Sequence, residues 1–336
     1  MSAPEPSATP PEPEENEPLP AAWTIGKSPW TRFRERARGN WPLQIGLGLL
    51  SGYLLVGVAA LVRYGSSLQS LPSVQAFVSP LHPPGPSWTH PFGVMTGPGV
   101  DILSALVRAT PIDLALIGGP VLLALAIGLL LGAIAGFVGG PLDLAVTFGS
   151  DLLTTAPPFF LVMVLFLGLQ PYLKASQFLP VFGLLFALVL WPYHARPVRA
   201  RAAQIAGETY VEAARAAGSG TGRLLRRHVI PNSIYPLLAQ IPVDVYNLMF
   251  VLTVFPFLNL LSGSLFAPLS PLPASTYPEW GFLLANGVAS GWSPLQQIDY
   301  WWMYAFPAAT VVLFGIAVAL VCDGLERLLA GGRPVR

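Results

Sequence analysis

Side chains that could hold a metal, move a proton or attack a substrate are few and scattered in this sequence. The four histidines, His82, His90, His194 and His228, lack the paired spacing that brings zinc ligands together. The single cysteine, Cys322, excludes an internal disulfide and any cysteine-based zinc site. ATP hydrolysis needs a glycine loop followed by lysine to cradle phosphates. The only lysines, Lys27 and Lys174, follow no such loop. The glycine-rich segment 218–222 has no lysine and follows no strand, so it reads as a turn. His194 has no serine partner for a protease built inside a membrane. By elimination the chain reads as non-enzymatic, with no metal and no cofactor of its own.

Two carboxylates stand out instead. Asp151 and Asp244 each fall inside a long apolar run, where an ionisable group is costly and persists when it has a function or a partner. Asp244 lies about 18 Å past Asn232 along a helix rising ~1.5 Å per residue, near mid-membrane. Pro236 and Pro242 precede it, and prolines bend helices and free backbone carbonyls. Asp151 precedes Pro157 and Pro158. Each acid has two readings, one facing a translocation path and one pairing within the bundle, and both stay open.

The one long polar, basic stretch between apolar runs is residues 210–232. Residues 204–217, which lead into it, are rich in helix formers and contain no proline. Gly218 can take a positive φ and stop a helix. A second short helix is expected from Thr221, a candidate N-cap, to about His228, with Pro231 ending it. A helix, a glycine turn and another helix between membrane spans form a docking handle.

The elements that must position this handle follow from composition. The 336 residues are 53% hydrophobic and only 10% charged, with a mean hydropathy of +0.58. Soluble domains average about 25% charged residues, so the deficit points to an apolar solvent. A net charge of +1 gives no argument for nucleic acid. Six runs are long and apolar enough to span a membrane: 43–62, 114–138, 144–169, 175–195, 232–261 and 301–322. With both termini in the cytoplasm, fifteen of the eighteen Lys and Arg fall inside, as basic residues do in membrane proteins. Gly139, Gly140 and Pro141 make a tight inner turn, whereas 64–110 and 263–300 are long outer loops. Residues 1–29, rich in Pro, Glu and Ser, read as a disordered tail without signal-peptide layout. Residues 30–42 read as an interfacial basic helix or as a basic flank orienting the first span. The transmembrane domain covers 43–330, the handle loop 196–231, and 331–336 form a short tail.

The handle also carries a resemblance. Glu212-Ala213-Ala214, then Gly218 and a segment closing on Ile230-Pro231, is similar to the EAA motif of ABC importer permeases. Tyr210-Val211, His228 and Pro231-Asn232 resemble the dipeptide/oligopeptide/nickel permease family, closest to its C-type subunit. In chain order, four further runs are similar to that family. They are His90-Pro-Phe-Gly93 with Asp101-Ile-Leu-Ser104, the run from Ala135 to Asp143, the run from Trp191 to Arg199, and Pro278-Glu-Trp-Gly281 with Asp323-Gly-Leu-Glu-Arg327. Two features depart from it: the family's basic residue before Asp101, and the acid of its fifth span, where this chain reads Leu252 to Asn259 with Pro256 inserted.

The resemblance implies an all-α membrane protein, a six-transmembrane-helix type I ABC importer permease with cytoplasmic EAA coupling helices. It implies a second permease, two ABC ATPase subunits that bind ATP and Mg, and an extracytoplasmic substrate-binding protein, all at the plasma (inner) membrane. Alternating access would be driven through Glu212, Ala213, Ala214, Gly218, Leu224, Leu225 and Pro231. Glu212 would meet a basic or polar groove edge, Gly218 would allow close approach, and Leu224 and Leu225 would fill the ATPase groove. Peptides come first as substrate, then oligosaccharides, then nickel. The rival readings are an ion-coupled secondary transporter using Asp244 and Asp151, and an assembly protein without transport.

Overall fold

The computed structural model describes residues 39–69, 83–95, 99–174, 177–262, 279–289 and 299–330. The expected tail 1–29, the basic segment up to residue 38, and residues 331–336 lie outside the described residues.

Helix α1, Trp41–Tyr64, begins where the Asn40 carboxamide oxygen accepts from Leu43 N at 3.3 Å. Pro42 sits in its first turn, where the missing N–H would have had no helical partner. Asn40 Nδ2 donates to the Gly324 carbonyl at 2.7 Å, and the Tyr53 hydroxyl donates to the Thr310 carbonyl at 2.8 Å. These bonds set α1 antiparallel to the last helix, Trp302–Ala330, so Asn40 and Gly324 share one end of the bundle. A two-stranded hairpin, β1 (Val94–Met95) with β2 (Val100–Asp101), leads into α2, Ile102–Val138. Asp101 caps α2 through Ser104 N at 2.8 Å while its other oxygen lies 2.9 Å from His90 Nδ1. Helix α2 therefore starts well before the apolar run at 114. Arg108, within the expected outer loop 64–110, lies on the helix with its guanidinium 3.9 Å from the Tyr64 ring centre and bonded to the Ser67 carbonyl.

Gly139 and Gly140 adopt φ of 71° and 69°, which makes the tight turn expected there. The expected third span, 144–169, is not one rod. Helices α3, Gly140–Thr154, and α4, Pro158–Leu169, replace it, bent by 85° at their junction. Pro157 and Pro158 explain the break, because each lacks a donor and pushes the preceding residue out of helical geometry. Among the described residues, five helices are long and apolar enough to cross a membrane, or six if the bent pair counts as one span. Helix α5, Phe178–Ala206, runs well past the expected end at 195, so the handle loop starts as helix.

Three short helices, α6 (Thr209–Ala216), α7 (Thr221–Leu224) and α8 (Ile230–Asn232), lead to α9, Tyr235–Leu238, and α10, Ile241–Ser262. The expected single rod 232–261 is thus interrupted, with Pro236 and Pro242 each in a first turn. Asp244 accordingly lies in the first turn of α10, and a depth measured along one helix from Asn232 does not apply. Helix α11, Trp280–Ala289, lies in the segment read as an outer loop, and α12 is Trp302–Ala330. Helix α11 is too short to span, but Trp280 and Leu283 are buried between α10 and α12. Gly281 permits this, since a Cβ there would lie 2.5 Å from the Leu252 carbonyl oxygen.

The tightest seam joins α2 to α5. Gly128, Gly132 and Gly136 repeat every fourth residue, so they form one stripe of α2. Against them lie His194, Ala195, Val198, Arg199 and Ala202 of α5. A Cβ on Gly132 would sit 2.5 Å from the Ala195 carbonyl oxygen. Without a hydrophobic force between helices in lipid, such small-residue stripes let backbones pack at van der Waals distance.

Candidate coupling site

The handle is built on its own small core. Ala133 and Phe137 of α2, Val198, Ala202 and Ile205 of α5, and Val211, Leu224, Val229 and Leu237 form one buried apolar cluster. The helices that carry the spans thereby also carry the handle.

Helix α6 turns only Val211 fully inward, leaving Glu212, Ala213, Arg215, Ala216 and Ala217 exposed and Ala214 half-buried. It closes in a Schellman arrangement: Ser219 N donates to Ala214 O and Gly218 N to Arg215 O, both at 2.9 Å. Gly218 takes φ 83°, as its place after the helix required, and a Cβ there would meet nothing within 4 Å. Arg215 places its guanidinium 4.9 Å from the Phe137 ring centre, and the Tyr210 and His228 rings lie 5.7 Å apart. These contacts bind α6 to α2 and to the segment after α7.

The second half departs from expectation. Gly220, not Thr221, is the N-cap, and α7 is a single turn that widens into a π turn over Leu225–Val229. Pro231 lies within the first turn of α8 instead of ending a helix. A proline inside a continuing α-helix would clash with the carbonyl four residues back, and a widened turn relieves that crowding. Leu224 is 2% exposed, inside the small core, so it packs within this chain and offers no side chain to a partner's groove. Leu225 is half-buried beside it. What faces solvent around the turn is mostly small, Ala213, Ala216, Ala217, Gly218, Gly220 and Gly222, with Glu212, Arg215, Arg223, Arg226 and Arg227 also exposed.

The two acids singled out in the apolar runs occupy different settings. Asp244 is fully buried, with Oδ2 2.8 Å from Nε2 of the equally buried His194 on α5. The approach is off the line of a straight hydrogen bond, and Gln240 Nε2 donates to Oδ1 at 3.4 Å. The pair bridges the helix before the handle and the helix after it. Asp151 is exposed on α3 and accepts from Arg196 Nη2 at 2.7 Å, while Arg199 grips Asp143 through two donors. Three side chains of one helical stretch, His194, Arg196 and Arg199, thus take up Asp244, Asp151 and Asp143. Sequence reading quoted that stretch for its resemblance without pairing it. The available signal was the presence of three bases and three acids in a chain with so few charges.

An apolar cavity of about 630 Å³ opens between α1, α2 and α5, lined by Leu61, Pro111, Pro120, Pro180 and Gly183 among others. No ionisable side chain lines it, and it lies apart from the handle.

Apolar helices that expose leucines outward, with a polar helix–turn–helix held at one end, define a multi-pass membrane protein. Residues 128–331 match the family described as the binding-protein-dependent transport system inner membrane component. The chain is similar to the probable D,D-dipeptide transport system permease protein DdpC of Escherichia coli strain K12, at 30% identity over 74% of this chain and 76% of the relative. It is similar to a putative peptide permease protein of Brucella ovis, at 32% over 72% of each. It is also similar to the dipeptide transport system permease protein DppC of Alkalihalophilus pseudofirmus, at 26% over 94% of each. The chain belongs to this family of type I ABC importer permeases and is a transmembrane permease subunit of an ABC importer, working within a system of other subunits. The ion-coupled secondary transporter is not favoured.

Proposed function

We propose that this permease carries peptides delivered by an extracytoplasmic binding protein, beside a second permease and above two ATPase subunits that bind ATP and Mg. The names of its relatives support a peptide substrate ahead of oligosaccharides or nickel. The observation that carries the coupling role is the exposed turn at Gly218, closed by the Schellman bonds and seated on a core shared with α2 and α5. Force applied at the turn reaches the spans through Val211, Leu224 and Val229 without a flexible link. Glu212, Ala213, Ala214, Gly218 and Pro231 form or flank the contact, while Leu224 and Leu225 support it from within. The basic count supports an orientation with the handle and both termini in the cytoplasm. Closure of the ATPases then favours one state of the bundle and the loaded binding protein the other.

Two measurements test this reading. Reporter fusions after Gly220 should read cytoplasmic and fusions after Pro273 external; the reverse pattern overturns the orientation. Gly218→Val places a β-branched side chain at positive φ, costing about 1–2 kcal/mol locally. Glu212→Arg reverses the charge on the docking face, where like-charge contacts cost several kcal/mol. Both lie outside the spans, so insertion should survive while ATPase pull-down and substrate-stimulated hydrolysis fall. Normal retention and hydrolysis in both variants would remove the coupling role.

A further inference from the structure

Two carboxylates meet in the interior of the bundle, remote from the handle. Asp113 of α2 and Glu279, which precedes α11, are each 1% exposed. Asp113 Oδ2 accepts from Trp280 N at 3.0 Å, and the Glu279 carboxylate accepts from the N–H groups of Gly281 and Phe282. The first turn of α11 is therefore capped by two acids from different parts of the chain. Among the described residues, Glu279 Oε2 has no hydrogen-bond partner, and neither does Trp280 Nε1.

Among the described residues the surroundings supply no balancing charge. From α1 comes Tyr53, whose ring meets Trp280 edge-on at 5.5 Å and whose hydroxyl is committed to Thr310 O. From α12 come Phe314, edge-on to Trp280, and Thr310, whose hydroxyl donates to Phe306 O. From α10 come the Leu252 carbonyl and Thr253, whose hydroxyl donates to Met249 O. Arg108, on the same helix as Asp113, is engaged by the Tyr64 ring and Ser67 O. None of the ion pairs among the described residues involves Asp113 or Glu279.

Two ionised carboxylates in one dry site repel, and neither can reach water to be solvated. A proton is the smallest ligand that resolves this. It removes one charge and supplies the missing donor for an orphaned oxygen. We propose that Asp113 and Glu279 together bind one proton, which latches α11 to α2. Motion that parts α11 from α2 would expose both acids to water and release that proton, and α2 carries the glycine seam to α5 and the handle. The latch goes beyond the permease function and does not depend on the substrate.

Burial, reinforced by the neighbouring Asp113 charge, pushes the Glu279 carboxyl well above its ordinary value of 4.5, against the lowering effect of the Phe282 and Gly281 N–H groups. The sign of the pH effect follows. The folded protein holds more protons than the unfolded chain above that ordinary value. Stability from this group is therefore fullest below 4.5 and is lost as pH rises through the raised folded value.

The test uses the purified full-length chain in its complex, in lipid nanodiscs. Infrared difference spectra should show a protonated-carboxyl C=O band at neutral pH in the natural protein, lost or shifted in Glu279→Gln and in Asp113→Asn. The unfolding temperature of the natural protein should fall by several degrees from about pH 5 to about pH 9. That of Glu279→Gln, whose carboxamide supplies a permanent donor, should lose most of this dependence. If Asp113→Asn fails to assemble, Glu279→Gln alone carries the comparison. A missing carboxyl band, or equal pH dependence in the natural protein and Glu279→Gln, overturns the proposal. Sodium- or potassium-dependent stability without the band would assign the site to a metal cation and overturn it as well. Neither readout requires transport, so failure here leaves the permease function untouched.

Discussion

Gly132→Ala should cost this permease its folded bundle, while Gly118→Ala on the same helix should be neutral or mildly stabilising. In an open position, alanine is the better helix former by about 0.5–1 kcal/mol. Gly118 is such a position, because an added Cβ meets nothing within 4 Å. At Gly132 the same methyl would sit 2.5 Å from the Ala195 carbonyl oxygen and 3.0 Å from its Cα. Those are backbone atoms, which cannot swing aside as a flexible side chain can. Relief requires moving α5 away, and Gly128 and Gly136 pack against the same helix on the same stripe. Overpacking of a well-filled interior costs about 1–3 kcal/mol and sometimes more, and here it is spread along a whole helix pair. The core under the handle shares Ala133, Phe137, Val198 and Ala202 with this seam, so loss of ATPase retention should accompany loss of the bundle. Thermal unfolding of the two variants in detergent or nanodiscs separates the outcomes. Similar unfolding temperatures for Gly132→Ala and Gly118→Ala would mean that the α2–α5 seam is not close-packed.

His194→Leu should destabilise the permease by about 3–5 kcal/mol, the range for removing one partner of a buried pair. The substitution leaves the Asp244 carboxylate fully buried, with only Gln240 Nε2 at 3.4 Å in reach. Leucine retains the Cβ that packs on Gly128, so the seam itself is kept. Adding Asp244→Leu should recover most of the loss, since replacing both members of a buried pair with apolar residues is often neutral. The experiment is a double-mutant cycle read by unfolding temperature and by substrate-stimulated hydrolysis. Recovered stability without recovered hydrolysis would give the pair a second role, holding α5 and α10 in register on either side of the handle. A double-variant loss equal to the sum of the two single losses would show that the two residues act independently.

Local patterns determined much of this protein before any contact was known. The scarcity of charge reports a transfer free energy summed along the chain, so the membrane class and the approximate spans were legible from composition. The handle was legible because a polar, basic run between apolar ones has few places to lie. The role of Gly218 followed from one rule, that a helix ends most easily on a residue free to adopt positive φ. The α3–α4 bend was half-legible: the prolines announced a disturbance, but its 85° angle depends on what the two helices pack against.

Only tertiary structure decided which charges meet. Asp244 finds His194, Asp151 finds Arg196, Asp143 finds Arg199, and Asp113 finds Glu279. The partners in each case come from separate segments of the chain, and no periodicity of one segment encodes the face of another. The same reason explains Leu224, which looks like a contact residue on a short exposed helix and is buried because Phe137 and Val198 lie beneath it. It also explains α11, too short and too glycine-bearing to stand out as an element. Its helix exists because α10 and α12 leave a slot in which Gly281 and Gly287 can touch backbone.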